Sequence, residues 1–234
     1  IGDTDTEALS RLQKKLGVET VVVDAANAEQ LASAMQGMQA VMSALTFSLN
    51  PSVAKAALAA GISYFDLTED VETTAAVRAL AQQAKPGQIF MPQCGLAPGF
   101  VGIVANHLAR RFDSLDSLML RVGALPEFPT NSLKYNLTWS TDGLINEYCN
   151  PCDVVHQGQR QDVWPLEGLE HLSIDGVEYE ACSTSGGLGT LCETYQGQVR
   201  ELNYKTVRYM GHRDRMRFLL DELRLREKRG LLKE

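Results

Sequence analysis

Positive charge is in short supply here. The 234 residues hold 22 Lys and Arg against 29 Asp and Glu, a formal net charge of −7. A chain with that balance lacks the basic face that a nucleic-acid backbone requires, so no nucleic-acid partner is expected. Long apolar runs are missing too: nothing approaches the ~20 residues that span a bilayer, so no membrane partner is expected. The five cysteines are odd in number and scattered, which argues against a disulfide framework and for a reducing, cytoplasmic setting. Cys149 and Cys152 form one CxxC. A tetrahedral zinc site needs four ligands, though, and no second pair matches, so the two read as structural turn cysteines and no metal is expected. A GxGxxG loop is absent as well, since "SGGLGT" at 185–190 has the wrong spacing.

What is present in the first half is an alternation of strand and helix. "ETVVVDA", "QAVMSAL", "SYFDL" and "QIFMPQ" are short, continuous apolar runs. Between them lie helical stretches: "NAEQLASAMQGM", with Asn27 as N-cap; "NPSVAKAALAAG", with Asn50 as cap, Pro51 at the first helical position and Gly61 closing; and "VETTAAVRALAQQAK". "GFVGIVANHLARRF" completes the series. Buried strands joined by single-helix crossovers predict an α/β, Rossmann-type doubly wound parallel sheet. The opening "IGDTDTEALSRL" reads as the tail of a strand, with Asp3 at its end and Thr4 or Asp5 capping a helix.

Past Asp113 the rhythm changes. "SLMLRVGAL", "SLKYNLTWS", "DVVHQGQRQDVW" and "LNYKTVRYM" read as strands of alternating polarity, with "TDGLINEYC" a short helix between them. The expected division is therefore 1–113, a partial dinucleotide-binding domain, and 114–234, an α+β substrate domain with a mixed or antiparallel sheet. The closing stretch, from Arg213 to Glu234, reads as an amphipathic helix with a solvated face.

In an open parallel sheet, ligands sit outside the carboxyl ends of the strands. The residues there are Asp3; Asp24 and Ala25; Leu45, Thr46 and Phe47; Asp66 to Glu69; and Cys94 to Gly99. An acid such as Asp3 at a strand end accepts hydrogen bonds from ribose hydroxyls and repels a 2′-phosphate, which favours NAD. In "QCGLAPGF", Gly95 and Gly99 allow an unusual turn, and the helix behind it offers N–H groups to a carboxylate or carbonyl. Later, alternation in "NYKTVRYMGH" places Tyr204, Thr206 and Arg208 on one face and Lys205 and Val207 on the other. Arg208 suits a two-pronged grip on a carboxylate, and Tyr204, Lys205 and His212 are candidate proton carriers. No Tyr precedes a Lys by four positions, which excludes the short-chain dehydrogenase pattern.

"SYFDLTED", "PQCGLAPGF", "TWSTDGLINEYCNPC", "STSGG" and above all "ELNYKTVRYMGH" together resemble the saccharopine dehydrogenase family, most closely its lysine 6-dehydrogenase branch. The resemblance implies a Rossmann domain followed by an α+β domain, and oxidation of the carbon–nitrogen bond of an amino acid, or reduction of the matching imine, with NAD or NADP. A carboxynorspermidine-type polyamine dehydrogenase and a non-catalytic, ligand-sensing member of the family are the alternatives. It further implies that Asp3 holds the adenosine ribose, Asp24 lies on the adenine side, and Ala44, Leu45 and Thr46 pass under the nicotinamide ribose. Asp66 and the turn from Gly95 through Ala97 to Gly99 would face nicotinamide and substrate. Arg208 would take the substrate carboxylate beside Tyr204, with Lys205 or His212 moving a proton and Asp66 counted with them as catalytic. A small amino-acid substrate and a homodimer are expected. Members of the family begin with a glycine fingerprint and continue beyond this point, so the chain is expected to be a fragment that lacks the first strand–helix unit and the C-terminal end. As it stands it is expected to bind dinucleotide poorly.

Overall fold

Five short strands run parallel in the first part of the chain: β1 (Gly2–Asp3), β2 (Val21–Val22), β3 (Ala40–Ser43), β4 (Ser63–Asp66) and β5 (Phe90–Met91). They form two ladders, β1–β2 and β3–β4–β5. Four helices connect them, α1 (Thr6–Leu16), α2 (Ala28–Ala34), α3 (Asn50–Ala60) and α4 (Val71–Ala81). The computed structural model describes residues 1–233.

Local chemistry accounts for the helix ends. Asp5 caps α1 by accepting from Ala8 N, and Asn27 caps α2 by accepting from Glu29 N and Gln30 N. Gly61 closes α3 in the left-handed conformation, at φ 75°. Asn50 does something other than the capping expected of it: its side chain is buried and accepts from Ser43 Oγ at 2.7 Å, tying the end of β3 to the start of α3. One core joins these elements, through Leu31 and Met35 of α2, Val53, Ala54 and Ala57 of α3, Tyr64 of β4 and Val77 of α4.

The chain divides into two compact units after Cys94, not after Asp113 as the change of rhythm suggested. The reason is α5 (Phe100–Ala109), whose Ala105 and Ala109 join the core of the second unit, against Leu188, Leu191 and Tyr195.

The second unit is built on one sheet, in the order β8–β7–β11–β10–β9, with β6 parallel to β11. Its strands are β6 (Ser117–Val122), β7 (Cys152–His156), β8 (Gln159–Val163), β9 (Glu170–Ile174), β10 (Val177–Ser183) and β11 (Glu201–Tyr209). Three helices accompany it: α6 (Thr141–Cys149), α7 (Leu191–Tyr195) and α8 (His212–Arg217). Gln157-Gly158 and Asp175-Gly176 make the two tight hairpins, all four residues having positive φ. Neither hairpin was anticipated: "DVVHQGQRQDVW" read as a strand but folds back on itself at Gln157-Gly158, and "DG" was the signal of the second. Along β11, Leu202, Tyr204, Thr206 and Arg208 are buried on the face covered by helices.

Two sequence expectations fail in this unit. "SLKYNLTWS" is a loop, because Asn131 donates to Tyr135 O and accepts from Tyr135 N, which occupies the groups a ladder would need. The C-terminal stretch is not one helix either. After α8 it makes a wide π-turn at Phe218–Glu222 and breaks at Arg224, whose φ is 56°. The break lets Arg226 donate to Tyr148 O and Arg229 donate to Asn146 Oδ1 and Asn150 Oδ1, at the end of α6. Cys149 and Cys152 are free and buried.

Gly187, of the "STSGG" stretch, carries a packing constraint, for a Cβ there would come within 2.4–2.5 Å of three carbons of the Tyr204 ring. Tyr204 is itself buried in the core, so it cannot swing away. Gly187→Ala should therefore lower stability by about 1–3 kcal/mol. Chemical denaturation measures this, and an unchanged midpoint would contradict the packing account.

Candidate functional site

The first unit carries its polar residues where the parallel strands end. Asp3 ends β1, Asp24 lies two residues beyond β2, and Ala44, Leu45 and Thr46 follow β3; all five are exposed. Asp3 accepts from Asp5 N through Oδ1 at 2.9 Å, and Asp24 accepts from Ala26 N at 2.8 Å. Each thus keeps a second carboxylate oxygen without a partner among the described residues.

Asp66 differs from these. It is fully buried and accepts three hydrogen bonds: from Tyr64 OH at 2.8 Å, Thr68 N at 2.9 Å and Gln93 N at 3.1 Å. Its main-chain carbonyl accepts from Cys94 N at 2.7 Å. Asp66 therefore stitches the end of β4 to the end of β5. The residue expected to be catalytic thus has both carboxylate oxygens engaged within the protein. Three residues on, Glu69 is the reverse case, because its Oε1 is buried with no partner. Burial is the first cause that raises its pKa, and Asp70 and Asp66 add to it.

The Gly95–Gly99 turn was expected to present free N–H groups. Gly99 does adopt a glycine-favouring φ of 130°, and the Ala97–Pro98 bond is cis. The first donors of α5 are nevertheless used within the turn, Phe100 N donating to Gly95 O and Val101 N to Leu96 O, each at 2.9 Å. The glycines shape a self-satisfied turn.

Arg208 is the centre of the second unit's polar chemistry. It is only 4% exposed and sits on β11, with its guanidinium over the Tyr135 ring at 4.6 Å. Its Nε donates to Tyr148 OH at 2.9 Å, its Nη1 to Val207 O at 3.1 Å, and its Nη2 lies 3.9 Å from Glu147 Oε2. Tyr148, on α6, is also 2.9 Å from His212 Nε2, and His212 Nδ1 is 2.7 Å from Leu133 O. A carbonyl only accepts, so Nδ1 carries the hydrogen and Nε2 of the neutral ring is the acceptor. Tyr148 must then donate to His212 and accept from Arg208. Burial, followed by the nearby Arg208 and Arg215 charges, pulls the His212 pKa down to about 4. A ring that stays neutral and has both nitrogens engaged does not carry protons near pH 7, so His212 is better read as part of the frame around Arg208.

Lys205 is also committed. It lies on the opposite face of β11 and donates to Gly168 O at 2.5 Å and Glu170 Oε2 at 2.8 Å. Arg121 grips the same carboxylate, and together they hold the Glu170 pKa at about 2, with the Arg121 hydrogen bond the largest cause. Lys205 and Arg208 are thus not brought together. Tyr204 shares the Arg208 face but is core, its pKa pushed up to about 12 by burial.

Sequence reasoning missed Tyr148, Tyr135 and Glu180. Glu180 is 4% exposed and accepts from Gly211 N and Arg213 N, which anchors the turn carrying His212. Tyr148 shares the inward face of α6 with Ile145 and Cys149, so spacing alone marks it as core. Among the described residues, no three His, Cys, Asp or Glu side chains gather as a metal site, and no helix is long and apolar enough to cross a membrane.

Comparison with known proteins places these features in a family. Residues 1–91 match the profile described as the saccharopine dehydrogenase NADP binding domain, and residues 95–234 match the saccharopine dehydrogenase C-terminal domain. The chain belongs to the saccharopine dehydrogenase family. It is 26% identical over 193 residues to the mitochondrial alpha-aminoadipic semialdehyde synthase of Rattus norvegicus, a match covering 75% of this chain and 21% of that protein. Its fold is shared with the apo saccharopine dehydrogenase (L-Glu forming) of Saccharomyces cerevisiae, at a TM-score of 0.73 and 20% identity, over 94% of this chain and 51% of that one. The chain thus spans about a fifth and about half of the lengths of those two proteins.

The strand ends of the first unit offer acceptors of the kind a nicotinamide dinucleotide's ribose hydroxyls need. Asp3 and Asp24 hold carboxylate oxygens without partners among the described residues, and the buried Glu69 Oε1 is an acceptor in want of a donor.

The neutrality of His212 gives a test of this geometry. Its folded pKa is depressed, so between about 6.5 and about 4 the unfolded chain binds a proton that the fold refuses. Stability should therefore fall as pH drops through that window and level off below it. Relative to His212→Asn, the wild type should lose up to about 3 kcal/mol more between pH 7 and pH 4. Denaturation at both pH values checks this, and equal losses in the two proteins would mean that His212 is not buried as a neutral ring.

Proposed function

We propose that this protein is an NAD(P)-dependent oxidoreductase that acts on the carbon–nitrogen bond of an amino acid such as lysine or saccharopine, or of the matching imine. The observation that carries the reading is the buried, oriented Arg208 guanidinium in a chain whose first unit matches an NADP-binding domain. An arginine held in this way is a carboxylate receptor, and its planar fork distinguishes an amino acid from a simple amine. That favours an amino-acid substrate over a polyamine.

A nicotinamide cofactor, when bound, supplies the hydride acceptor or donor. The chain's own part is to hold and orient. Asp3 and Asp24 offer free carboxylate oxygens to the adenosine half, Ala44, Leu45 and Thr46 follow β3 where the second half would lie, and Arg208 takes the substrate carboxylate. The proton leaving the nitrogen goes to water or to a group other than His212 and Lys205, both of which are engaged elsewhere. Asp3 favours NAD over NADP, because a carboxylate pairs with a free 2′-hydroxyl and repels a 2′-phosphate.

The test is to follow reduced nicotinamide by absorbance with the full-length gene product, supplying lysine, saccharopine and carboxynorspermidine with NAD or NADP. Turnover of an amino acid is expected, with Arg208→Ala raising its KM at least about 30-fold, as for loss of one partner of a buried charge contact worth 2–5 kcal/mol. Asp3→Ser should narrow the preference for NAD by about tenfold, the weight of a hydrogen bond to a charged group. Normal dinucleotide binding without turnover of any of the three would favour a ligand-sensing protein instead.

A further inference from the structure

We infer that Tyr148 is a positioning residue that fixes which edge of Arg208 a substrate carboxylate meets. The inference rests on the assignment of Arg208 as the carboxylate receptor. A guanidinium can meet a carboxylate side-on, through Nε and one Nη, or end-on, through Nη1 and Nη2. Here Nε is taken by Tyr148 OH at 2.9 Å, which closes the side-on edge. Val207 O takes one hydrogen of Nη1 at 3.1 Å, and Nη2 lies 3.9 Å from Glu147, beyond hydrogen-bond reach of it. The end-on edge is what remains for a ligand.

Tyr148 can hold that edge only because its own hydrogen is directed elsewhere. The hydroxyl donates to His212 Nε2, which frees its oxygen to accept from Arg208. His212 is in turn fixed by Leu133 O at 2.7 Å, and Glu180 anchors its turn through Gly211 N at 2.9 Å and Arg213 N at 2.6 Å. Every member is buried: Tyr148 is 1% exposed, His212 2%, Glu180 4% and Arg208 4%. The Tyr135 ring fixes the plane of the guanidinium, and Tyr148 fixes its rotation within that plane. The network therefore specifies the angle at which a carboxylate docks. It contributes to amino-acid selectivity without touching the substrate.

Tyr148→Phe keeps the ring and its packing and removes only the hydroxyl. In the full-length gene product, with whichever of lysine or saccharopine the wild type oxidises, KM should rise about 10- to 30-fold, the cost of one hydrogen bond to a charged group. Affinity for NADH should stay within about twofold, since that binding does not involve the network. For the analogue whose α-carboxylate is replaced by a carboxamide, wild type and variant should have the same KM. A wild-type KM for the acid in Tyr148→Phe, or an equal loss for acid and amide, would overturn the inference while leaving Arg208 in place if Arg208→Ala is impaired. An unimpaired Arg208→Ala would remove both. The unmodified protein gives a check that needs no variant: imidazole ¹⁵N NMR at pH 7 should show His212 neutral with the hydrogen on Nδ1. The opposite tautomer or a charged ring would make His212 Nε2 a donor to Tyr148, so the hydroxyl hydrogen would no longer be directed by His212, and the inference would fail.

Discussion

Arg208 takes a permanent positive charge out of water, and much of the second unit is arranged around that fact. Removing a guanidinium from solvent costs several kcal/mol unless its donors and its charge find partners. The partners come from distant parts of the chain: Tyr148 on α6, the Tyr135 ring from the loop after β6, and Glu147 beside Tyr148. Each of these needs support of its own. The Tyr148 hydroxyl requires an acceptor for its hydrogen, His212 requires one for Nδ1, and the turn that presents His212 is secured by the buried carboxylate of Glu180. The loop, the helix and the turn are thus coupled through a series of single hydrogen bonds. A partly satisfied network of this kind would be worse than an apolar core.

The same strand shows how a sheet separates chemistry. Alternation along β11 sends Arg208 toward the helices and Lys205 to the other face. There Lys205 joins Arg121 on the Glu170 carboxylate, which keeps that acid ionised far below the usual range. Two cations three residues apart in one motif therefore have unrelated surroundings. Asp66 and Glu69 make a similar contrast within one loop of the first unit. The acid closest to the strand is saturated with hydrogen bonds, while its neighbour has a buried oxygen with none.

Much of the architecture could be read from local signals. The four connecting helices of the parallel part and the caps at Asn27 and Gly61 follow from side-chain chemistry that acts within a few residues. The errors arose where distant groups intervened. Asn50 was drawn from capping into a buried bond with Ser43, the segment around Tyr135 closed on itself, and the terminal helix broke so that its arginines could reach α6. α5 looked like the last helix of the first pattern and packs with the second, because its small residues Ala105 and Ala109 fit that core.

For the site, the strand-end acids and the importance of Arg208 were legible, since strand alternation and side-chain type carry that information. The state of each group was not. Whether Lys205 or His212 can move a proton depends on what surrounds it, and Glu170 and Leu133 lie 35 and 79 positions away along the chain. The sequence by itself determined where strands and helices form, the face each side chain takes, and the presence of acids and an arginine suited to a dinucleotide and a carboxylate. Only the tertiary structure decided which of those groups are already satisfied, because desolvation and hydrogen bonding, which set charge state and orientation, are properties of the packed neighbourhood and not of the residue.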